Sequence, residues 1–260
     1  MIRAVACSVL LFWSFVTTGN GAASYDSALS LYDQGQFVEA AKVATDLGTA
    51  AGDALAARAL LLYAAHVAPE GEDVVFLERG EAAAARALVR DSDNVEAILH
   101  KVIALGYRAR LEKPMAAHEA GYARTAKALL KRASDLDPDN PWVWATWGGW
   151  HGEIAQSAGS FFAGLLYGAS AGKARESFRR AIKLAPDNPA IRVEYAKTLL
   201  GMGKDYRADA RAVLLEASAL SARNAFEEIL EGQGRRLLKA MDYDDPSLKA
   251  SLNAVTPFVR

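Results

Sequence analysis

Alanine-rich amphipathic stretches dominate the pattern of apolar and polar positions along this chain. Segments such as Glu81–Ala87 place small apolar residues beside charged ones and are hard to interpret as strands. Alanine is the best helix former because it has no side-chain entropy to lose on folding. The pattern therefore predicts a fold built entirely from α-helices, whose core forms where helix packs against helix.

One sequence pattern occurs three times, and each copy opens with Arg-Ala and closes with Asp-Asn. The copies are Arg86–Asn94, Arg132–Asn140 and Arg180–Asn188. In each copy the apolar stripe of a helix stops at a Ser or a Pro, and the Asp-Asn pair follows. Asn and Asp side chains accept hydrogen bonds from the first free amides of a helix, so each copy predicts the end of one helix and the start of the next. Internal repeats of this size indicate stacked helical hairpins.

These units resemble the tetratricopeptide repeat family, whose hairpin has a large and a small residue on the first helix, two alanines on the second and a closing proline. The residues that carry the resemblance lie in the fourth unit (Trp144, Trp147, Gly148, Ala174, Phe178, Ala181, Pro186), the first (Leu31, Gly35, Phe37, Ala40) and the fifth (Tyr195, Ala196, Leu199, Gly203, Ala208). The resemblance implies an all-α fold, a right-handed α-α superhelix of about five hairpins.

The hairpins and a final capping helix are expected to occupy residues 24–241. The inner units are longer than a plain repeat of about 34 residues because their connections are longer. The extra residues fall within the hairpins, at approximately Val67–Asp73, Arg110–Gly121 and Ser157–Gly172. The capping helix is predicted over Asn224–Met241, with an apolar face of Phe226, Ile229, Leu230, Leu237 and Leu238. Residues 242–260 are expected to form a short, loosely held C-terminal tail.

Residues 1–23 have the composition of an export signal. Arg3 precedes an apolar run from Ala4 to Val16, and the small residues Gly21 and Ala23 come before Ser24. This run is shorter than the roughly 20 residues that a membrane-spanning helix needs. We expect cleavage before Ser24 and a periplasmic or secreted mature chain, and a retained membrane anchor is the alternative.

Charge and reactive side chains argue against several classes of function. The chain of 260 residues has a formal net charge of −1, so it lacks the positive field that attracts nucleic acid. Its single cysteine, Cys7, lies in the export segment, and its four histidines are solitary. The run Gly168–Gly172 has the Gly-x-Ser-x-Gly spacing of a nucleophile elbow, but no strand is predicted before it, and Gly168–Lys173 is one residue short of a phosphate-binding loop. We expect a protein that is not an enzyme and uses no cofactor or metal.

The repeat resemblance also implies a concave groove lined by the first helices of the hairpins, where such proteins bind extended segments or helices. Four tryptophans lie close together in the sequence, at positions 142, 144, 147 and 150. The groove positions of the family, with Trp150 added from these four, correspond in this sequence to Tyr25, Tyr32, Leu99, Ile103, Tyr107, Trp142, Trp150 and Lys197. This mostly apolar set suits a hydrophobic segment better than an acidic tail. The alternative is that these side chains pack against neighbouring helices, and it stays open for Trp142 and Trp150.

The insert of the fourth unit, Ile154–Gly172, carries no charged residue. Its glycines and serines make it a poor membrane span, and crossing a membrane would divide the repeat array. The aromatic residues Phe161, Phe162 and Tyr167 are candidates for a lid over a ligand, or else they plug the array.

The sequence therefore predicts an exported, non-catalytic adaptor that holds a peptide or protein partner of the cell envelope in its groove, with no membrane span in the mature chain. A second, looser similarity supports an alternative. Gly148–His151 and Lys173–Phe178 are similar to periplasmic repeat proteins that accompany tripartite substrate-uptake (TRAP) transporters. On that interpretation the chain is an accessory protein that binds a small apolar ligand beneath the uncharged insert.

Overall fold

The computed structural model describes residues 24–69, 71–243 and 245–259, apart from the side chains of residues 158–162. The predicted export signal, residues 1–23, lies outside the described residues. Within the described ranges all regular secondary structure is helical, which confirms the predicted all-α class. None of the described helices has the length and apolar character that crossing a membrane requires.

Five helical hairpins follow one another and form a helical-repeat superhelix. Each has a first and a second helix, in the order α1 (Tyr25–Asp33) and α2 (Phe37–Asp46); α3 (Ala50–His66) and α4 (Asp73–Arg90); α5 (Val95–Leu111) and α7 (Tyr122–Leu136); α8 (Pro141–Phe162) and α9 (Ala171–Leu184); α10 (Pro189–Met202) and α11 (Arg207–Ser218). The connections of the last three hairpins contain short helical pieces, namely α6 (Pro114–Glu119), a π-helical turn (Ala163–Tyr167) and a 3-10 turn (Lys204–Tyr206). The first helices contact one another along the array.

The repeated Asp-Asn pairs cap helices, as the sequence predicts. Asn94 Oδ1 accepts a hydrogen bond from the backbone N–H of Ala97 at 2.9 Å, and Asn188 Oδ1 accepts one from Ile191 at 3.1 Å. Asn140 caps the helix between them in a similar way. Each such cap contributes about 1 kcal/mol to helix stability, so the repeat pattern sets the hairpin boundaries by itself.

Small residues let the paired helices approach closely. Ala28, Ala40 and Ala44 in the first hairpin are completely buried. In the fourth hairpin, a Cβ atom added to Gly148 would lie 2.4 Å from the ring of Phe178. Only glycine fits at that point, which is the physical reason for the small residue in the repeat pattern.

The helix α12 (Ala225–Ala240) follows the fifth hairpin and confirms the predicted capping helix. Its Leu230 and Leu237 are completely buried in the same core cluster as the side chains of α10 and α11. The helix also reaches back to the beginning of the array, where Phe226 and Ile229 pack against the first two hairpins. It therefore contacts both ends of the superhelix instead of only covering the last unit.

Residues 245–258, which we call the C-terminal segment, form a helix and dock on the hairpins, structure that the prediction of a C-terminal tail did not include. Residues Asp245–Val255 form α13, which packs against α12 and α10. Val255 is 4% exposed and Phe258, beyond the end of this helix, is 7% exposed. The tail lacks a long apolar stripe, but one aromatic side chain reaches a pocket that only the assembled hairpins create.

Candidate functional site

Three of the predicted groove residues lie in hairpin cores. Tyr32, Leu99 and Trp150 are 4%, 6% and 8% exposed. The Tyr32 ring meets Phe37 edge-on at 5.4 Å between centroids, and Trp150 donates its indole N–H to the carbonyl of Ala123 at 3.1 Å. The interpretation as core therefore holds for Trp150, because the indole already has its packing and its hydrogen-bond partner inside the protein.

Four of the other five predicted groove residues lie beside the elements that follow the hairpins, namely Ile103, Tyr107, Trp142 and Lys197. The fifth, Tyr25, is partly buried against the core of the first two hairpins. We call this surface of α1, α3, α5, α8 and α10 the inner face. The Trp142 ring lies 5.9 Å from Phe226 of α12, so this tryptophan is half-buried and not free. The chain's own C-terminal elements therefore cover the face on which the repeat resemblance implies a groove.

Phe258 occupies a pocket that we call the tail pocket. Its walls are Leu61 and Ala64 of α3, Leu77 of α4, and Ala104, Ile103 and Tyr107 of α5. The rings of Tyr107 and Phe258 lie 4.8 Å apart between centroids, at a tilt of 38°. Burial raises the pKa of Tyr107 above its ordinary value. An aromatic pair in such an apolar setting gains free energy beyond the area that it buries.

A charged pair stands beside the tail pocket. Arg110 donates from Nε and Nη2 to the two carboxylate oxygens of Glu153 at 3.0 and 2.5 Å, in the fork geometry that favours specific pairing. Its Nη1 donates to the backbone carbonyl of Pro257 at 3.1 Å. Burial alone would lower the pKa of Arg110, but hydrogen bonding to Glu153 and its negative charge outweigh burial and raise it. The guanidinium therefore stays charged while it binds a peptide carbonyl.

A second polar chain links α3, α12 and α10 through side chains. Gln233 lies with its amide nitrogen 3.1 Å from Nδ1 of His66, and its amide oxygen accepts from Lys197 at 3.3 Å. Lys197 also donates to Glu194 at 2.8 Å. Burial, followed by the charge of Lys197, lowers the pKa of His66 to about 3, so this imidazole is neutral near pH 7. Burial by itself would raise the pKa of Glu194, but Lys197 holds it below its ordinary value.

A cavity of about 370 Å³ lies between α3, α12 and the C-terminal segment. Its lining combines apolar and polar side chains: Ala65, His66, Ile229, Gly232, Gln233, Arg236, Ala254, Val255 and Thr256. In the part of the chain that the structure describes, no group of three His, Cys, Asp or Glu side chains could hold a metal ion. Its polar lining residues, such as Gln233 and Arg236, can form hydrogen bonds and charge interactions.

The candidates for a ligand lid lie elsewhere. Phe161 and Phe162 end α8, and their side chains are outside the described residues. Tyr167 is 9% exposed, shares a core cluster with Trp150, and hydrogen-bonds through its hydroxyl to Nδ1 of His118. Its backbone carbonyl accepts from Lys127 at 2.7 Å. Tyr167 therefore connects the fourth hairpin to His118 and Lys127 of the third.

Sequence reasoning named Ile103, Tyr107 and Trp142 on the inner face, but it missed Arg110, Gln233, His66 and Phe258 as members of the site. Arg110 sits at the very end of a helix, and nothing in the sequence couples it to Glu153 on another hairpin. The polarity of the site was accordingly underestimated.

Comparison with known proteins agrees with this architecture. The chain is similar to the crystal structure of TTC0263, a thermophilic TPR protein from Thermus thermophilus, with a TM-score of 0.56 and 18% identity over 81% of this chain and 96% of that one. At this identity the similarity concerns the fold alone. No curated protein matches the sequence. The family model described as Regulator of microtubule dynamics protein 1-3 matches residues 25–242, from the first turn of α1 to the end of α12. The chain belongs to that family.

Proposed function

We propose that this chain is a non-catalytic adaptor that holds a peptide or protein partner against its inner face. One observation carries the proposal: the inner face already binds polypeptide, since α12 and the C-terminal segment both lie on it. The binding uses an aromatic pocket and a half-buried arginine that donates to a backbone carbonyl, contacts that any suitable segment can make. Helical-repeat folds bind partners on such concave surfaces.

Partner capture tests this proposal with a matched pair of variants. The mature chain, residues 24–260, is used as bait in envelope extract, beside Arg110→Gln and Val89→Ala. Val89 is 88% exposed on a second helix, so its loss should change nothing. We expect a companion that wild type and Val89→Ala retain, and that Arg110→Gln recovers at least about ten-fold less well, the change that 1.4 kcal/mol of binding free energy produces. Equal recovery with all three baits would place the partner site on another surface.

The family gives one partner class that can be assayed directly. Because its description names regulators of microtubule dynamics, polymerised tubulin is a defined protein to test by co-sedimentation. If wild type sediments with polymerised tubulin and Arg110→Gln does so less, tubulin is the partner class. If wild type does not sediment with it, tubulin is excluded as the partner.

Export to the cell envelope is part of the proposal, and the composition of residues 1–23 supports it. The test is N-terminal sequencing of the chain from fractionated cells. A mature N-terminus at Ser24 in the soluble envelope fraction is the expected result. A chain that still begins with the apolar run and stays with the membrane fraction would instead support the retained anchor.

A second candidate function is binding of a small ligand, and the 370 Å³ cavity beside His66 favours it. A ligand that binds only the folded chain raises its melting temperature. The matching experiment is a thermal-shift assay with extracted metabolites on wild type and on His66→Leu, which removes a polar group from the cavity wall. A shift in wild type that the variant lacks would favour this function. The similarity to TRAP-associated proteins stays a prediction.

A further inference from the structure

We propose that the external partner of the tail pocket is a peptide in which a proline precedes an aromatic residue, and that the C-terminal segment is the resident occupant that such a peptide replaces. The inference rests on the proposed function and specifies the chemistry of its partner. It follows from three features: how the tail pocket is built, what Arg110 recognises, and how weakly the resident segment is anchored.

The tail pocket is built without help from its occupant. Its walls come from α3, α4 and α5, which pack against one another as consecutive helices of two hairpins. Leu61 and Leu77 are 2% and 0% exposed and belong to the hairpin packing itself. The walls therefore stay in place when Phe258 leaves, and the open pocket would present apolar side chains to any aromatic group that arrives.

Arg110 recognises backbone, so its contact carries over to other sequences. Glu153 holds the guanidinium by two hydrogen bonds, and the third group donates to the carbonyl of Pro257, the residue before the aromatic one. Proline has no N–H, so the segment brings no backbone donor into the apolar surroundings at that position. A fixed φ also reduces the entropy that the segment loses when it binds. The pocket therefore selects an aromatic residue, Arg110 binds the carbonyl before it, and a proline at that position lowers the cost of binding.

The resident segment is weakly anchored. Val255 is the one residue of α13 that is buried within the described chain, and Leu248 and Leu252 are only partly covered. Phe258 adopts φ of +59°, a left-handed conformation that is unfavourable for a residue other than glycine. Next to it, Val259 is 43% exposed. A segment with two buried side chains, one of them on a strained residue, and with solvent-exposed ion pairs at its start can leave without unfolding the hairpins.

Competition inside one molecule sets what an external peptide must overcome. A tethered segment acts at an effective concentration of about the millimolar range. The apparent dissociation constant of an outside peptide is then its intrinsic value divided by the fraction of molecules whose pocket is open. Removing the ring of Phe258 should therefore strengthen binding of an outside peptide, although it removes apolar surface from the protein.

The test uses the chain's own segment as the probe. A fluorescein-labelled peptide of residues 245–260 is titrated by anisotropy into the full mature chain, its Phe258→Ala variant and a Val259→Ala control. We expect Phe258→Ala to bind the peptide at least ten-fold more tightly than wild type or the control. The same peptide carrying Phe258→Ala should fail to bind, and Phe258→Ala combined with Arg110→Gln should lose the gain. Equal affinity for wild type and Phe258→Ala, or no binding by either, would overturn the proposal.

Two further measurements keep the outcome clear. Should Phe258→Ala fold poorly by circular dichroism, hydrogen exchange on wild type replaces it: excess peptide should deprotect α13 and leave α12 protected, and unchanged α13 protection overturns the proposal. Light scattering at rising concentration shows whether a second copy supplies the segment, and a dimer that Phe258→Ala dissolves would overturn the intramolecular occupant. If no peptide binds while partner capture still depends on Arg110, only this partner chemistry fails and the adaptor function stands.

Discussion

Two elements from the end of the chain lie on the same inner face, and they are held there very differently. The helix α12 buries Leu230 and Leu237 completely, and Gly234 approaches so closely that an added Cβ would lie 3.2 Å from Val193. Its N-terminus is capped by Asn224, which accepts from Glu227 at 3.0 Å. The C-terminal segment has Val255 and Phe258 as its buried side chains within the described residues.

The difference shows how a groove can be part core and part binding site. Where a helix has a continuous apolar stripe, as α12 does, it packs into the core and leaves no surface there for a partner. Where a segment contributes only one aromatic side chain and one carbonyl, another peptide with the same groups can replace it on that surface. Regions that bind partners are expected at the low-stability end of a structure, and our proposal places the C-terminal segment there.

The largest expected effect is on α12. Leu230→Ala should lower the free energy of unfolding by about 2–5 kcal/mol, because it leaves a cavity in a fully packed core. Urea denaturation measures the loss, and Leu248→Ala in half-covered α13 is the matched control. Equal losses in the two variants would break the comparison, since α13 would then be as much a part of the core as α12.

A smaller loss is expected for Phe258→Ala, although truncating a buried phenylalanine usually costs about 3–5 kcal/mol. The loss cannot exceed the free energy with which the C-terminal segment docks, because the segment can detach while the hairpins stay folded. Hydrogen exchange should show faster exchange in α13 and unchanged protection in α12. A global loss as large as that of Leu230→Ala would contradict independent docking.

Acid should weaken the contact between α12 and α3. The pKa of His66 is lowered to about 3 from its ordinary 6.5. At a pH between these two values, His66 is protonated in the unfolded chain and neutral in the folded chain. This term therefore removes stability as the pH falls from 6.5 towards 3. Urea midpoints at pH 7, 5 and 4 should fall more steeply for wild type than for His66→Gln, which has no proton to take up. Parallel curves would show that His66 is not held neutral by α12.

The smallest effect is expected at the start of α13. Asp245 accepts from Arg207 at 2.7 Å and also pairs with Lys204, and these interactions lower its pKa. All three side chains are at least partly in solvent, where ion pairs are weak and screened by salt. Asp245→Asn should speed exchange in α13 a few-fold at low salt and have no effect in 0.5 M salt, an ionic strength that we choose as about five times the usual 0.1 M. A large effect at both salt concentrations would show that the Asp245 ion pairs hold the start of α13 in place.

Much of the architecture is predictable because it depends on neighbouring residues. The Asp-Asn pairs, the alanines and the stripe from Phe226 to Leu238 give hairpin boundaries and α12 by spacing alone. The site is less predictable. Tyr107 and Trp142 come from family positions, but whether each is covered depends on elements far away in the chain, and the periodicity of α5 or α8 contains no sign of Phe226 or Phe258.

By itself, the sequence determined the helical class, the hairpin repeat, the helix caps and the existence of α12. These follow from helix propensity, from local hydrogen bonds and from apolar residues at helical spacing, all of which act over a few residues. Only the tertiary structure decided that α12 spans the inner face, that Glu153 holds Arg110, and that Phe258 fills the tail pocket. Those contacts join residues of different hairpins, and their positions exist only after the helices have packed together.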